Sequence, residues 1–365
     1  MTLWTQSGGI LSRSKQISAC LGEPLARFTN PDTTQPGDVL VGWGQKANTR
    51  QIKQKAHDLG LPYWQLEDGF IGYIGHPARG GKAVSLVADP VGIYYDARQP
   101  SRLEQLIATP CDTALLARAE ALAGELLRLG ITKYNCYAAG SALPDALAAR
   151  LHSDARPKVL LIDQVAGDLS IPGALASEAD FVEMVAAARR NHPGARLLLR
   201  THPDTRLGKK RGVLAQMQLD DVERVIDHCH PHALLNEVEA VYTVSSQMGF
   251  EALLLGKAVW CFGMPFYAGW GLTHDSKSCP RRQAQVSLPQ LVAAALILYP
   301  RYLDPVLGQR CEVEQVLEVI ADQLNPAPRY RRLYMVGFSL WKRAFMRAFC
   351  QPLAEELRFV CTPPK

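Results

Sequence analysis

Residues 157–170 read PKVLLIDQVAGDLS: an unbroken apolar run from Val159 to Ile162, then a polar loop carrying Asp163, Gln164 and Asp168 around Gly167. An apolar run without alternation marks a strand covered on both faces, as in parallel sheets flanked by helices. Its sudden break into carboxylates and glycine predicts the first strand of a doubly wound sheet. Downstream the pattern repeats. Phe181 to Arg190 reads as a helix, RLLLRTHPD (196–204) as a strand with polar residues at its exit, AVYTVSSQMGFEALLLG (240–256) as strand, turn and helix, and AVWCFG (258–263) as a further strand.

Upstream, VLVGWG (39–44), NTRQIKQKAHDLG (48–60) and LPYWQLEDGF (61–70) read as strand, helix, strand. VSLVADPVGIYYD (84–96) predicts another strand, followed by helical blocks at Pro100 to Ala108 and Asp112 to Leu129. The fold class is therefore α/β, with two Rossmann-like domains. The length of 365 residues fits two domains and a cleft between them. The expected boundaries are 1–155 for an acceptor-side domain, 156–320 for a second Rossmann-like domain, and 321–365 for a helical tail that packs back on the first. After Leu288 the chain is expected to turn helical and to end in the basic, aromatic stretch RYRRLYMVGFSLWKRAFMRAF (329–349).

Composition excludes several classes. The longest apolar runs, such as Ala293 to Leu298, fall far short of the roughly 20 residues needed to span a bilayer. The N-terminus lacks the apolar core of a secretory signal, so a cytoplasmic location is expected. Nine cysteines without a CxxC pair predict reduced thiols rather than a disulfide framework. A net charge of +5 suits an anionic substrate or an anionic membrane surface better than a nucleic-acid groove, so no nucleic-acid partner is expected.

In open α/β sheets ligands bind beyond the carboxyl ends of the strands, where Asp163, His202 and Ser245 are all expected. Ser245 and Ser246 sit at a strand-to-helix junction, where backbone N–H groups and hydroxyls suit a phosphate; the ordinary alternative is a helix cap. His202, followed by Pro203 and flanked by Arg200, Lys209 and Lys210, can exchange a proton near neutrality beside an anion. Glu67 and Asp68 precede Gly69 at a strand end and offer a base for an acceptor hydroxyl, or merely an acidic turn. Asp163 and Asp168 are each placed as a nucleophile or as a cap. The His228, Cys229, His230, His232 cluster is interrupted by Pro231 and has no second ligand pair, so no metal site is expected. The C-terminal basic aromatic stretch suits either an anionic membrane surface or packing across the two domains.

LEDGF, SLVADPVGIYYDA, LLIDQVAGDLS, THPD with GKKRG, and SSQMGFEALLLGKAVWCFGMPFYAGWGLTHD together resemble the KpsC family of capsule polysaccharide β-Kdo transferases over nearly the whole chain. Family members often carry two such modules in tandem. The resemblance implies a GT-B architecture and transfer of Kdo from CMP-β-Kdo, with retention, to a Kdo-terminated or phosphatidylglycerol-type lipid acceptor. It also implies peripheral association with the inner membrane and the capsule export machinery. The Glu67-Asp68-Gly69 triplet, the His202-Pro203 pair and Ser245-Ser246 also resemble, in order and character, three short motifs of bacterial sialyltransferases that use CMP-sialic acid.

On that resemblance Gln164, Arg200, His202, Pro203, Lys209, Ser245, Ser246, Gln247 and Glu251 would hold the donor, with the serines on the CMP phosphate and His202 assisting its departure. Asp163 or Asp168 would be the nucleophile of a double displacement, and Glu67 or Asp68 the acceptor base. Arg200 or Lys209 would pair with the Kdo carboxylate. No metal or other cofactor is implied. Competing readings are an inverting sialyltransferase-like enzyme, a nucleotide-sugar epimerase on the same fold, and a capsule-assembly protein that binds nucleotide without turnover.

Overall fold

The computed structural model describes residues 1–137, 142–201, 205, 210–324, 330–350 and 353–363. Strands β1 (Leu3–Thr5), β2 (Leu25–Arg27), β3 (Val39–Trp43) and β4 (Tyr63–Asp68) pair in parallel. β5 (Tyr73–Ile74), β6 (Lys82–Ala83) and β8 (Tyr134–Asn135) form a small separate sheet, while β7 (Ser85–Asp89) adds antiparallel to β4. The helix Thr113–Leu129 starts where the Asp112 carboxylate accepts from Leu115 N at 2.8 Å, and ends at Gly130, whose φ of 65° relieves the chain of a Cβ penalty.

β9 (Lys158–Ile162) opens the second sheet, continued by β10 (Arg196–Arg200), β11 (Val222–Val225), β12 (Ala240–Thr243), β13 (Ala258–Cys261) and β14 (His274–Asp275). All pairings are parallel and the order is β11-β10-β9-β12-β13-β14. Counting from its own first strand that order is 3-2-1-4-5-6, the doubly wound arrangement whose switch point lies between β9 and β12. Alternation along β9 explains the uninterrupted apolar run. Val159 and Leu161 pack with Phe181, Met184, Leu197 and Leu199 on one face, while Leu160 and Ile162 pack with Leu198 and Val241 on the other.

The chain returns to the first sheet earlier than the expected boundary at residue 320. β15 (Arg301–Asp304) pairs antiparallel with β7, and β16 (Gln309–Cys311) closes that edge, giving a seven-stranded sheet ordered β16-β15-β7-β4-β3-β1-β2. The sequence reading missed these strands because, at four and three residues, they are too short to carry a period-two signal. Helix Val313–Leu324 then packs near Thr113–Leu129, where Arg118 donates to Glu314 and Glu312, each at 2.8 Å. The tail is not purely helical: β17 (Tyr330–Val336) and β18 (Ala354–Val360) pair in parallel about the helix Leu340–Cys350.

The two sheets share apolar contacts. Phe70, at the end of LEDGF, lies 4.3 Å from the Phe266 ring and 6.4 Å from Phe250, residues of the second half, with Tyr94 edge-on at 4.8 Å. Buried Glu104 from the first half accepts from Arg281 at 2.7 Å and from buried Arg282 at 3.1 Å. No helix among the described residues is long and apolar enough to cross a membrane.

Candidate active site

A cavity of about 1270 Å³ is lined from both sheets: Trp43, Glu67 and Asp68 on one wall, Asp163, Gln164, Asp168, Arg200, Ser245, Ser246, Gln247 and Glu251 on the other. His202, Pro203 and Lys209 lie outside the described residues.

At the switch point, Asp163 and Ser245 leave adjacent strands β9 and β12. Gln164 joins them: its side-chain carbonyl accepts from Ser245 N at 2.8 Å and its amide donates to Ser245 Oγ at 2.9 Å. Ser170 Oγ stands 3.4 Å from Ser245 Oγ, so two hydroxyls and an amide converge on one spot. Ser246 behaves as a helix-start serine. Its hydroxyl accepts from Met248 N at 3.3 Å, and its carbonyl is fixed by the Tyr267 hydroxyl at 2.5 Å. The first residue of the helix Met248–Leu254 is preceded by Gln247, which reaches away to donate to the Phe70 carbonyl at 2.6 Å and so stitches the two walls together.

The two aspartates of the β9 exit have different surroundings. Asp163 is 1% exposed and accepts from the backbone N–H groups of Gln164 and Leu214 at 2.9 Å and of Ala215 at 3.1 Å. Burial raises its carboxyl above the usual range, against the pull of those donors. A Cβ at Gly212 would overlap Asp163 Oδ2, so only glycine lets the 212–215 turn close over the carboxylate. Asp168 is exposed and accepts only a 2.9 Å bond from Ser170 N among its described side-chain contacts.

Glu67 closes the opposite wall. Its Oε1 accepts from Trp43 Nε1 at 3.0 Å and from Asp68 N at 3.1 Å. Burial, helped by the negative charge of Asp68, pushes its carboxyl up to about 7. Asp68 accepts from the Tyr73 hydroxyl at 2.7 Å. Lys133 lines the same cavity. Burial works against its charge but is outweighed by Tyr134, Tyr94, Asp68 and Glu67, which hold the ammonium well above its usual range.

Glu251 projects from the helix Met248–Leu254, its carboxyl pushed up to about 7 by burial. Lys133 N donates to it at 3.4 Å, and His232 Nε2 lies 3.9 Å away, its ring held neutral by burial with a pKa of about 3. Arg200 donates to Cys229 Sγ at 3.2 Å and to its carbonyl at 3.0 Å, which fixes the guanidinium at the cavity wall. His230 is structural: Nε2 donates to the Gly130 carbonyl at 2.8 Å while Nδ1 accepts from His232 N at 3.1 Å, capping Pro231–Asn236.

The structure thus gathers Glu67, Asp68, Asp163, Gln164, Asp168, Arg200, Ser245, Ser246, Gln247 and Glu251 into one cavity. Sequence reading missed Lys133, Trp43, Tyr94 and Tyr95, which line it too. Lys133 sits in the short stretch TKYN with no motif around it. The Tyr pair follows the β7 run and carried only an apolar signal.

A family model described as capsule polysaccharide biosynthesis protein matches residues 38–154 and, overlapping, 117–302. The chain is 38% identical over 339 residues to the capsule polysaccharide modification protein LipA of Neisseria meningitidis serogroup B, a match covering 90% of this chain and 47% of LipA. It is 35% identical over 295 residues to the lipopolysaccharide-processing protein LpsZ of Rhizobium meliloti, covering 80% of this chain and 66% of LpsZ. The chain spans about half the length of LipA. Among solved structures, it superposes on the Thermosulfurimonas dismutans KpsC β-Kdo 2,4 transferase with a TM-score of 0.81 and 39% identity, covering 88% of this chain and 98% of that one. Against the β-Kdo 2,7 transferase of the same organism's KpsC the TM-score is 0.67 and the identity 28%, with 88% and 99% covered. By sequence match, fold and superposition, the chain belongs to the capsule polysaccharide biosynthesis protein family, alongside the KpsC glycosyltransferases.

Proposed function

We propose that the chain is a retaining β-Kdo transferase of GT-B architecture that moves Kdo from CMP-β-Kdo to a lipid-linked acceptor, Kdo-terminated or of phosphatidylglycerol type, in capsule linker synthesis. The observation that carries this reading is the meeting, in one cavity, of a fixed buried aspartate from the second sheet and a near-neutral glutamate from the first. The greater likeness to the 2,4 transferase than to the 2,7 transferase supports a 2,4 linkage. The reading places the work on the cytoplasmic face of the inner membrane and gives no role to a metal.

In this reading Ser245, Ser170 and Gln164 receive the CMP phosphate, and Arg200 pairs with the Kdo carboxylate. A nucleophile works best when its orientation is fixed in advance, and three backbone donors fix Asp163 where exposed Asp168 accepts only from Ser170 N among its described side-chain contacts. Its carboxylate attacks the anomeric carbon as the bond to the CMP phosphate breaks, leaving a glycosyl ester. The backbone donors at Asp163 favour the carboxylate when that ester is cleaved in the second displacement. Glu67 takes the proton from the acceptor hydroxyl as it attacks, and the second inversion restores the β anomer.

The test is incubation with CMP-β-Kdo, generated in place, and a synthetic acceptor ending in β-Kdo, with product read by mass and NMR. Expected are a Kdo-sized gain with a β anomeric signature and, without acceptor, a Kdo adduct on the peptide bearing Asp163, absent in Asp163→Ala. An adduct on Asp168 would move the nucleophile. An α product, or CMP binding with no transfer to any acceptor, would overturn the reading in favour of an inverting enzyme or a non-catalytic assembly protein.

A further inference from the structure

The C-terminal unit presents its helix the wrong way round for a surface in water. Trp341, Phe345 and Phe349 recur at four-residue spacing on one face of Leu340–Cys350 and are 73%, 62% and 63% exposed, with Leu340 beside them at 80%. The opposite face carries the arginines, Arg343 half-buried and Arg347 exposed. The guanidinium groups of Arg343 and Arg347 lie 5.7 and 5.8 Å from the Phe359 ring of β18, and Arg343 Nε donates to the Phe338 carbonyl at 2.9 Å. Burying the apolar stripe against the strand pair would be the stable arrangement for a helix that ends its contacts there. Instead four large apolar side chains stand in solvent as one patch, a pattern that marks an interaction surface.

We infer that this face seats on an anionic lipid surface. The helix carries Lys342, Arg343 and Arg347 and no acidic residue, so its charge complements anionic headgroups. Lys342 Nζ sits 5.5 Å from the Trp341 ring, which places a cation at the rim of the apolar stripe, where headgroup phosphates meet acyl chains. Tryptophan and phenylalanine on one face with basic residues at its margin are the composition of helices that lie in the interface plane. Crossing is excluded for this element, because its 11 residues span far less than a bilayer. None of its described residues lines the cavity, so the inference does not depend on the chemistry proposed there.

The test is co-sedimentation of the full chain with sucrose-loaded vesicles of phosphatidylcholine alone and with about 30 mol % phosphatidylglycerol, where each exposed cation near the surface contributes about fivefold in affinity. Lys342 and Arg347 together predict about 25-fold tighter partition onto the anionic vesicles, weakened at about 0.5 M salt. Trp341→Ser, Phe345→Ser and Phe349→Ser combined should lower partition at least about tenfold, with circular dichroism and the melting midpoint unchanged because the side chains touch solvent. Lys342→Gln with Arg347→Gln should remove the preference for phosphatidylglycerol. Equal pelleting of wild type and the triple variant would overturn the inference. So would a wild-type dimer that ignores vesicles and dissolves in the triple variant, which would assign the face to a second copy of the chain.

Discussion

Replacing Glu67 by glutamine separates the requirement for a base from the cost of keeping a half-buried one desolvated. Glutamine retains an acceptor oxygen for Trp43 Nε1 and Asp68 N, so the loop geometry survives. In the folded chain Glu67 holds its proton up to about 7, whereas the unfolded chain releases it near 4.5. Below pH 4.5 both states are protonated and the residue is neutral towards stability. Between 4.5 and about 7 the unfolded state binds fewer protons, so stability falls as pH rises, and above about 7 the full penalty is present. That gap corresponds to about 3 kcal/mol. If the chain unfolds as a unit, an unfolding entropy of about 2.1 cal/mol/K per residue converts it to a shift of about 4 °C in melting midpoint.

Glu67→Gln should therefore melt about 4 °C above wild type at pH 9 and match it near pH 4.5, as followed by differential scanning in buffers of equal ionic strength. In the transferase assay kcat/KM of the wild type should rise through pH 7, and the variant should lose roughly 10²- to 10⁴-fold. A midpoint difference that is the same at pH 5 and pH 9, or a wild type more stable than the variant at pH 9, would refute the buried-base argument.

Two further substitutions test the architecture around the cavity. Gly212→Ala would drive a Cβ into Asp163 Oδ2, so it should cost about 2 kcal/mol or more and abolish adduct formation, measured by melting and intact mass. Loss of neither would remove Asp163 from its clamped position. Glu104→Ala would leave Arg282 buried beside two backbone carbonyls without its carboxylate, at a cost of about 3 to 5 kcal/mol read in the melting midpoint. An unchanged midpoint would show that the contact between the halves does not depend on this ion pair.

The patterns that depend on nearest neighbours were readable in the chain itself. The apolar run of β9, its break at Asp163, and the strand-turn-helix around Ser245 announced a doubly wound sheet and placed the polar exits along one edge. Period and punctuation are local, so a single stretch carries them. The assignment of Glu67, Asp68 and Glu251 to one cavity was legible as well, through motif resemblance. What stayed hidden depends on contacts between distant segments. Residues 301–311 fall in the stretch expected to be helical and become strands only because β7 offers them an edge, and Lys133 has no signature until β8 brings it beside Glu67 and Asp68.

The division between the two aspartates is the sharpest case. As sequence, Asp163 and Asp168 are equal acidic residues in one loop, each able to cap or to attack. Tertiary structure alone distinguishes them, because the turn at 212–215 folds back from some fifty residues away to add two backbone N–H donors to the one Asp163 accepts from Gln164, and leaves Asp168 in solvent. The near-neutral carboxyls of Glu67 and Glu251 have the same origin: a side chain's proton affinity is set by what surrounds it, and those surroundings are brought together from segments distant in sequence, Trp43 and Lys133 at Glu67, Lys133 and Arg200 at Glu251.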